Sequence, residues 1–220
     1  MALVELLVAT AVALAVCAAA LAAIGELPDA FSVQTELADM HQRTRIAVES
    51  LRRDLASTSG VVPYRWGSAF SDPPGSYKDD TITAVGEKST VTYWLKTDSS
   101  TGTFQLMSHA GGTSSDVPVV DSVVLLRFGY LGDGLAPIDA TQLMDGPWHP
   151  DASAPDRWDA DLLRVRAVTV AMRVQAAVAA LRGPAGPLFT HAGTASGGTR
   201  WAPDIGVTLT IALRNQSPGT

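Results

Sequence analysis

The sequence offers little to support metal or redox chemistry, because it has one cysteine among 220 residues. That cysteine, Cys17, lies within an apolar run, so neither an intrachain disulfide nor a zinc site built on paired cysteines can form. The four histidines are far apart in the chain, and no HExxH, CxxC, GxSxG or Walker A string occurs. We therefore expect no enzyme activity and no cofactor.

Charge is also scarce, since charged residues make up 17% of the chain and the formal net charge is -6. The acidic balance argues against nucleic acid as the main partner, because phosphate binding needs a basic surface. No Lys or Arg precedes Arg43. A segment of an inner membrane normally has positive charge on its cytoplasmic side. We therefore expect a short basic leader ahead of Met1 in the precursor.

An uncharged, proline-free run occupies residues 6–24. As a helix with a rise of about 1.5 Å per residue it would be about 28 Å long, close to the hydrocarbon thickness of a bilayer. The alanine-rich stretch 18–23 leaves ordinary secretory cleavage open as an alternative. We predict a transmembrane and assembly helix over residues 1–27.

A single carboxylate, Glu5, interrupts the apolar sequence close to its start. A carboxylate in hydrocarbon is costly unless it finds a partner, although one at the headgroup level costs little. Residues 1–7, MALVELL, resemble the mature N-terminus of type IV pilins and type II secretion pseudopilins, which is usually written FTLVEL. Glu5 then stands at the fifth position that characterises this family, and Met1 stands where the family usually has Phe.

The resemblance implies a processed and assembled protein. A prepilin peptidase would cut after a glycine and N-methylate residue 1, with Met1 either that residue or a start codon assigned too far downstream. Glu5 would pair with the free amine of Met1 on a neighbouring subunit. The implied partners are other pilin or pseudopilin subunits, the inner-membrane assembly platform and the lipid bilayer. The residues expected to pack in the membrane or the filament core are Leu3, Val4, Leu6, Leu7 and Val8.

A second helical pattern follows Gly25 and Pro28, which we expect to break or kink the helix. It forms an amphipathic helix within residues 28–59, with an apolar stripe that we expect to pack on a head domain. The stripe consists of Leu37, Met40, Ala47, Leu51 and Leu55. Residues 42–55 also resemble the helix end of PilW-type minor pilins and of J-type minor pseudopilins.

From residue 60 to residue 220 the pattern favours a β-rich periplasmic head with long loops. Short β-type runs at 81–85, 90–96 and 103–108 are interpreted as two consecutive strands between 81 and 108. Further strands are predicted near 122–131, 163–177 and 205–213. No crossover helix separates them, so antiparallel pairing is expected. The predicted fold class is α+β, with a long N-terminal helix packed on one face of an antiparallel sheet, the lollipop shape of pilins.

Five aspartates, Asp145, Asp151, Asp156, Asp159 and Asp161, cluster in one predicted loop. Some pseudopilins bind calcium in such a loop, and hard cations prefer several carboxylate and carbonyl oxygens. The spacing matches no EF-hand, so a solvated acidic loop is the favoured interpretation. Asp151, Asp156 and Asp159 stay as weak calcium candidates.

Three functional hypotheses follow. The first is a minor pilin or minor pseudopilin, a structural subunit that is inserted in the bacterial inner membrane with its head in the periplasm and is then incorporated into a pilus or pseudopilus. The second is a signal-anchored periplasmic binding or sensing module without a filament role, which leaves Glu5 unexplained. The third, a membrane-anchored hydrolase, would need catalytic residues to cluster in the folded head.

Overall fold

The computed structural model describes residues 2–67, 70, 76–86, 89–98, 102–140, 142–144, 160–196 and 200–213. Its first element is one continuous helix, α1, over Ala2–Ala56. The helix therefore does not break at Gly25 and Pro28, and the alternative of a kink there stays a prediction. Proline lacks an amide hydrogen, so within a helix it removes one backbone hydrogen bond, which the remaining bonds of a helix this long can tolerate. α1 ends at Ala56, inside the predicted segment 28–59.

In the part of the chain that the structure describes, nine strands follow α1. Their bounds are β1 Gly60–Val62, β2 Thr81–Val85, β3 Thr90–Asp98, β4 Thr103–His109, β5 Val117–Asp121, β6 Val123–Leu131, β7 Pro137–Ile138, β8 Ala167–Val174 and β9 Ile205–Ala212. A short helix, α2, spans Ala160–Leu163, and 3-10 turns lie at Asp133–Leu135, Gln142–Met144 and Ala179–Leu181. The α+β class with antiparallel strands is thus confirmed.

The strands form two antiparallel sheets rather than the single sheet that was predicted. The first sheet has the order β1-β2-β3-β4-β5, and the second has the order β7-β6-β8-β9. Only Ser122 separates β5 from β6, and its φ of 60° places it in the left-handed region. This single residue redirects the chain from one sheet to the other. Across the sheets, β6 lies against β2, β3 and β4.

The predicted strand positions agree closely with the structure, but their number does not. Residues 81–109 contain three strands rather than the two that were predicted. The third, β4, pairs with β3 on one side and with β5 on the other. The predicted strand over 163–177 begins later, since Ala160–Leu163 is helical and β8 starts at Ala167. β1, β5 and β7 were not predicted as strands. β1 and β7 have only two or three residues, which are too few to show an alternating pattern.

The core lies between α1 and both sheets. α1 contacts β5 of the first sheet and β8 and β9 of the second. The side chains of Met40, Ala47, Leu51 and Leu55 are fully buried, and Leu37 is partly buried against the same cluster. Full burial of one large aliphatic side chain contributes about 1.5–3 kcal/mol. The second half of α1 is therefore an integral part of the head.

Two buried tyrosines make the head sensitive to alkali. The Tyr93 hydroxyl donates a hydrogen bond to Asp54 at the end of α1. Burial, and then this hydrogen bond, raise the pKa of Tyr93 well above its usual value. The hydroxyl of Tyr130 has no hydrogen-bond partner within the described residues, and burial raises its pKa as well.

We predict that the head loses stability as the pH rises above about 10, where tyrosines of the unfolded chain ionise. Both native phenols stay protonated there, so each costs up to about 1.4 kcal/mol of unfolding free energy per pH unit. Denaturant titrations across this range measure the slope, and Tyr93→Phe should make it shallower. Ultraviolet titration showing Tyr93 ionised near its usual pKa in the native protein would contradict this.

Candidate functional site

The most unusual surface of the protein is the first part of α1. The segment Leu3–Leu21 has a mean hydropathy of 2.4, and none of it is buried. Its large apolar side chains are 56–78% exposed; they are Leu3, Val4, Leu6, Leu7, Val8, Val12, Leu14, Val16 and Leu21. A helix of this length and composition can cross a bilayer. It is compatible with a membrane anchor, and a signal sequence near an N-terminus would meet the same criteria.

One charge lies in this segment. Glu5 is in the first turn of α1, where a negative charge is favoured by the helix dipole. Its side chain is exposed and has no hydrogen bond or ion pair to any residue that the structure describes. By contrast, the Thr10 hydroxyl donates within the helix to the carbonyl oxygens of Leu6 and Leu7, at 3.1 and 3.0 Å. Met1, the proposed partner of Glu5 on another subunit, lies outside the described residues.

A buried ion pair lies where the second half of α1 meets the head. Arg43 Nη2 and Glu36 Oε1 are 2.9 Å apart, and each side chain is only 10% exposed. Arg43 also donates to Asp39 Oδ2 from Nε at 2.9 Å and from Nη2 at 2.6 Å, but the Asp39 side chain is 58% exposed. Charge-assisted hydrogen bonds of this length are the strong ones, and burial keeps salt from screening them.

The same two side chains reach the backbone after β8. Glu36 Oε1 accepts a hydrogen bond from the Ala177 amide at 2.6 Å, and Arg43 Nη1 donates to the Gln175 carbonyl at 3.4 Å. The backbone amide of Gln175 in turn donates to the backbone carbonyl of Ser122 at 2.9 Å. We call Glu36, Arg43, Gln175 and Ala177 the helix–head clamp. It joins α1 to the chain at the end of β8, beside the point where the two sheets meet.

Sequence reasoning missed this clamp. Glu36 and Arg43 are not part of the predicted apolar stripe. A weak signal was present, since residues seven apart lie on the same side of a helix, two turns from each other. The backbone partners are more than 130 residues away in sequence, and no local pattern could indicate them.

The three calcium candidates of the acidic loop, Asp151, Asp156 and Asp159, lie outside the described residues. Within the part of the chain that is described, no three or more His, Cys, Asp or Glu side chains are grouped so that they could hold a metal ion. In the first sheet, His109 Nδ1 lies 3.0 Å from Asp116 Oδ1.

Comparison with models of known protein families gives no match, and no curated protein matches the chain. Two features of the molecule itself bear on its function. These are the exposed apolar segment with its single carboxylate, and the head that the clamp attaches to the same helix.

Proposed function

We propose that this protein is a structural subunit of a type IV pilus-like filament, a minor pilin of the PilW type or a J-type minor pseudopilin of type II secretion. It inserts in the inner membrane through α1, holds its head in the periplasm, and then joins the filament. One observation carries the proposal: Leu3–Leu21 is entirely exposed and its only charge is Glu5, at the position that characterises the family.

We expect an exposed apolar helix of this size to be buried in lipid or against other protein. Monomeric soluble proteins rarely expose apolar patches larger than a few hundred Å². Lipid would cover the segment before assembly, and the helices of neighbouring subunits would cover it afterwards. Alanine and valine dominate residues 8–23, and such small side chains allow helices to approach closely. The same surface thus suits both environments.

The apolar surface alone favours no particular axial offset between neighbouring helices, whereas Glu5 can favour one. In the filament its carboxylate would meet the amine of residue 1 on a neighbouring subunit. The attraction between close charges in a low dielectric is strong, but the cost of desolvating them offsets much of it. The pair therefore contributes mainly to the specificity of packing rather than to its strength. It favours one axial offset between helices whose surfaces are otherwise uniformly apolar.

The continuous helix transmits that register to the head. From Glu5 to Arg43 along α1 is about 57 Å at a rise of about 1.5 Å per residue. The helix–head clamp and the buried stripe fix the head on the second half of α1. Selecting the offset at Glu5 would thus also select the height of the head along the filament, the lollipop arrangement expected of a pilin.

The competing hypothesis is a signal-anchored periplasmic module. It accounts for the apolar segment and the folded head, but it gives Glu5 no role. The two hypotheses differ in the partners that they require. A filament subunit needs a prepilin peptidase, an inner-membrane assembly platform and other pilin-like subunits, whereas an anchored module needs none of them.

Mass spectrometry of the native N-terminus, on protein taken from the cells that make it, tests the proposal. We expect a new N-terminus created by proteolysis, with a methylated amine and with Glu5 as its fifth residue. A strain without the prepilin peptidase should accumulate the longer, unmethylated form. A formylated or unmodified methionine at the start of the natural chain, or a mature start after the alanines at 18–23, would refute a pilin-like subunit.

A further inference from the structure

A groove runs between the last two turns of α1 and the strand β9. The wall on the helix side includes Glu49, Arg52 and Arg53, and the wall on the strand side includes Leu209, Thr210 and Ala212. Alternate residues of a strand point to opposite faces of its sheet. Because the groove is lined by neighbouring residues of β9, it follows the edge of the strand rather than one face. Backbone groups of β9 are therefore accessible from it.

β9 is an edge strand with one free side. It pairs with β8 over eight residues, from Ala167 opposite Ala212 to Val174 opposite Ile205, and with no other strand within the described residues. Alternate N–H and C=O groups of an edge strand point away from its neighbour and can pair with an added strand.

Proteins usually protect such an edge with charge, proline or a bulge, or by covering it with a helix or loop. Here α1 contacts β9, and the groove runs between them. β9 has the sequence IGVTLTIA, which contains neither charge nor proline, and its register with β8 has no irregularity. The other long edge differs, because β5 contains Pro118 and its pairing with β4 shifts between Leu106 and Met107. The free edge of β9 therefore has no charge, proline or bulge that would hinder an added strand, and the groove lies between this edge and α1.

The charge of the groove is positive. Arg52 is exposed and has no ion pair with any residue described in the structure. Arg53 lies beside it, so two arginines line the groove against one acidic residue, Glu49, whose carboxylate lies 3.8 Å from Nε of Arg45, a residue that does not line the groove. A strand that enters this groove would meet a guanidinium that is free to bind a carboxylate.

We propose that this groove binds an extended segment of a partner protein as an added strand beside β9. The segment would alternate apolar and polar side chains and place an Asp or Glu against Arg52. Main-chain hydrogen bonds would supply affinity, and the carboxylate would supply selectivity. The site lies in the head and is independent of the apolar segment, so it does not rest on the filament proposal.

The test uses the full chain in detergent micelles and short synthetic peptides of alternating valine and threonine. One peptide has a central glutamate, and its control has lysine there. Hydrogen–deuterium exchange reports the amides of β9, and fluorescence anisotropy reports affinity. We expect the glutamate peptide to slow exchange in β9 and to bind about two- to fivefold more tightly than the lysine peptide, the scale of one exposed charge pair.

Two charge-reversal variants make the result specific. Arg52→Glu should reverse the preference between the peptides, since attraction becomes repulsion. Lys96→Glu reverses an exposed positive charge on β3 of the first sheet, outside the groove, and should leave the preference unchanged. Several results would overturn the proposal. One is no slowing of exchange with either peptide, and another is equal binding of both. A third is a preference that survives Arg52→Glu, and a fourth is a β9 edge already protected without peptide, which would mean that a second copy or the chain itself fills the groove.

Discussion

Replacing Glu5 by Ala or Leu is expected to leave membrane insertion intact and to reduce incorporation into filaments by at least about tenfold, equivalent to about 1.4 kcal/mol. Insertion depends on apolar length, which neither change reduces. Incorporation depends on one axial offset being favoured over others, and Glu5 is the only charge in Leu3–Leu21 that could favour it. Without it, the helices can still associate but have no preferred register.

The measurement compares two fractions of the same cells. The variant should stay in the membrane fraction after alkaline extraction and disappear from the sheared filament fraction. Thr10→Val is the matched control, because Thr10 is a polar residue of the same segment whose hydroxyl is already satisfied within the helix. It should incorporate normally. Normal incorporation of Glu5→Leu would show that the carboxylate has no role in assembly.

The second large effect is expected at the helix–head clamp. Glu36→Ala should lower the free energy of unfolding of the head by about 3–5 kcal/mol, because it leaves Arg43 buried without its buried partner. The change also removes the acceptor of the Ala177 amide. Denaturant unfolding followed by tryptophan fluorescence, in the same detergent throughout, measures the loss.

Related substitutions distinguish a buried pair from a general surface effect. Asp39→Ala removes an exposed partner of the same arginine and should cost no more than about 1 kcal/mol. Glu36→Gln keeps an acceptor for the Ala177 amide and should cost less than Glu36→Ala. The double variant Glu36→Leu/Arg43→Met should recover much of the loss, because no buried charge remains. A cost below about 1 kcal/mol for Glu36→Ala alone would mean that the ion pair does not hold the joint.

Much of the fold could be predicted from local patterns. Strands such as β6 and β8 alternate over eight or nine residues, so their positions follow from the period of the sequence. The division into two sheets could not be predicted, because it depends on pairings between strands distant in sequence and because only Ser122 separates β5 from β6. A single residue in a left-handed conformation carries no periodicity, and serine is not a residue that signals such a turn as glycine does.

The candidate site divides in the same way. The apolar segment and Glu5 are continuous in sequence, and composition alone draws attention to them. The clamp depends on contacts between α1 and the chain after β8, and one of its partners is a backbone amide, which any residue other than proline provides. The groove along β9 likewise arises only when a helix near the start of the chain comes to lie beside a strand near its end.

The way the head is mounted also determines how it would respond to mechanical pulling. α1 lies against β5, β8 and β9 along its second half, and the clamp lies toward the end of that contact nearer the apolar segment. Tension applied to the apolar half, along the helix axis, would load this whole contact in shear. Buried side chains and the clamp would then resist together, whereas a sideways force would peel them apart one after another. The head is therefore built to withstand an axial pull better than a lateral one.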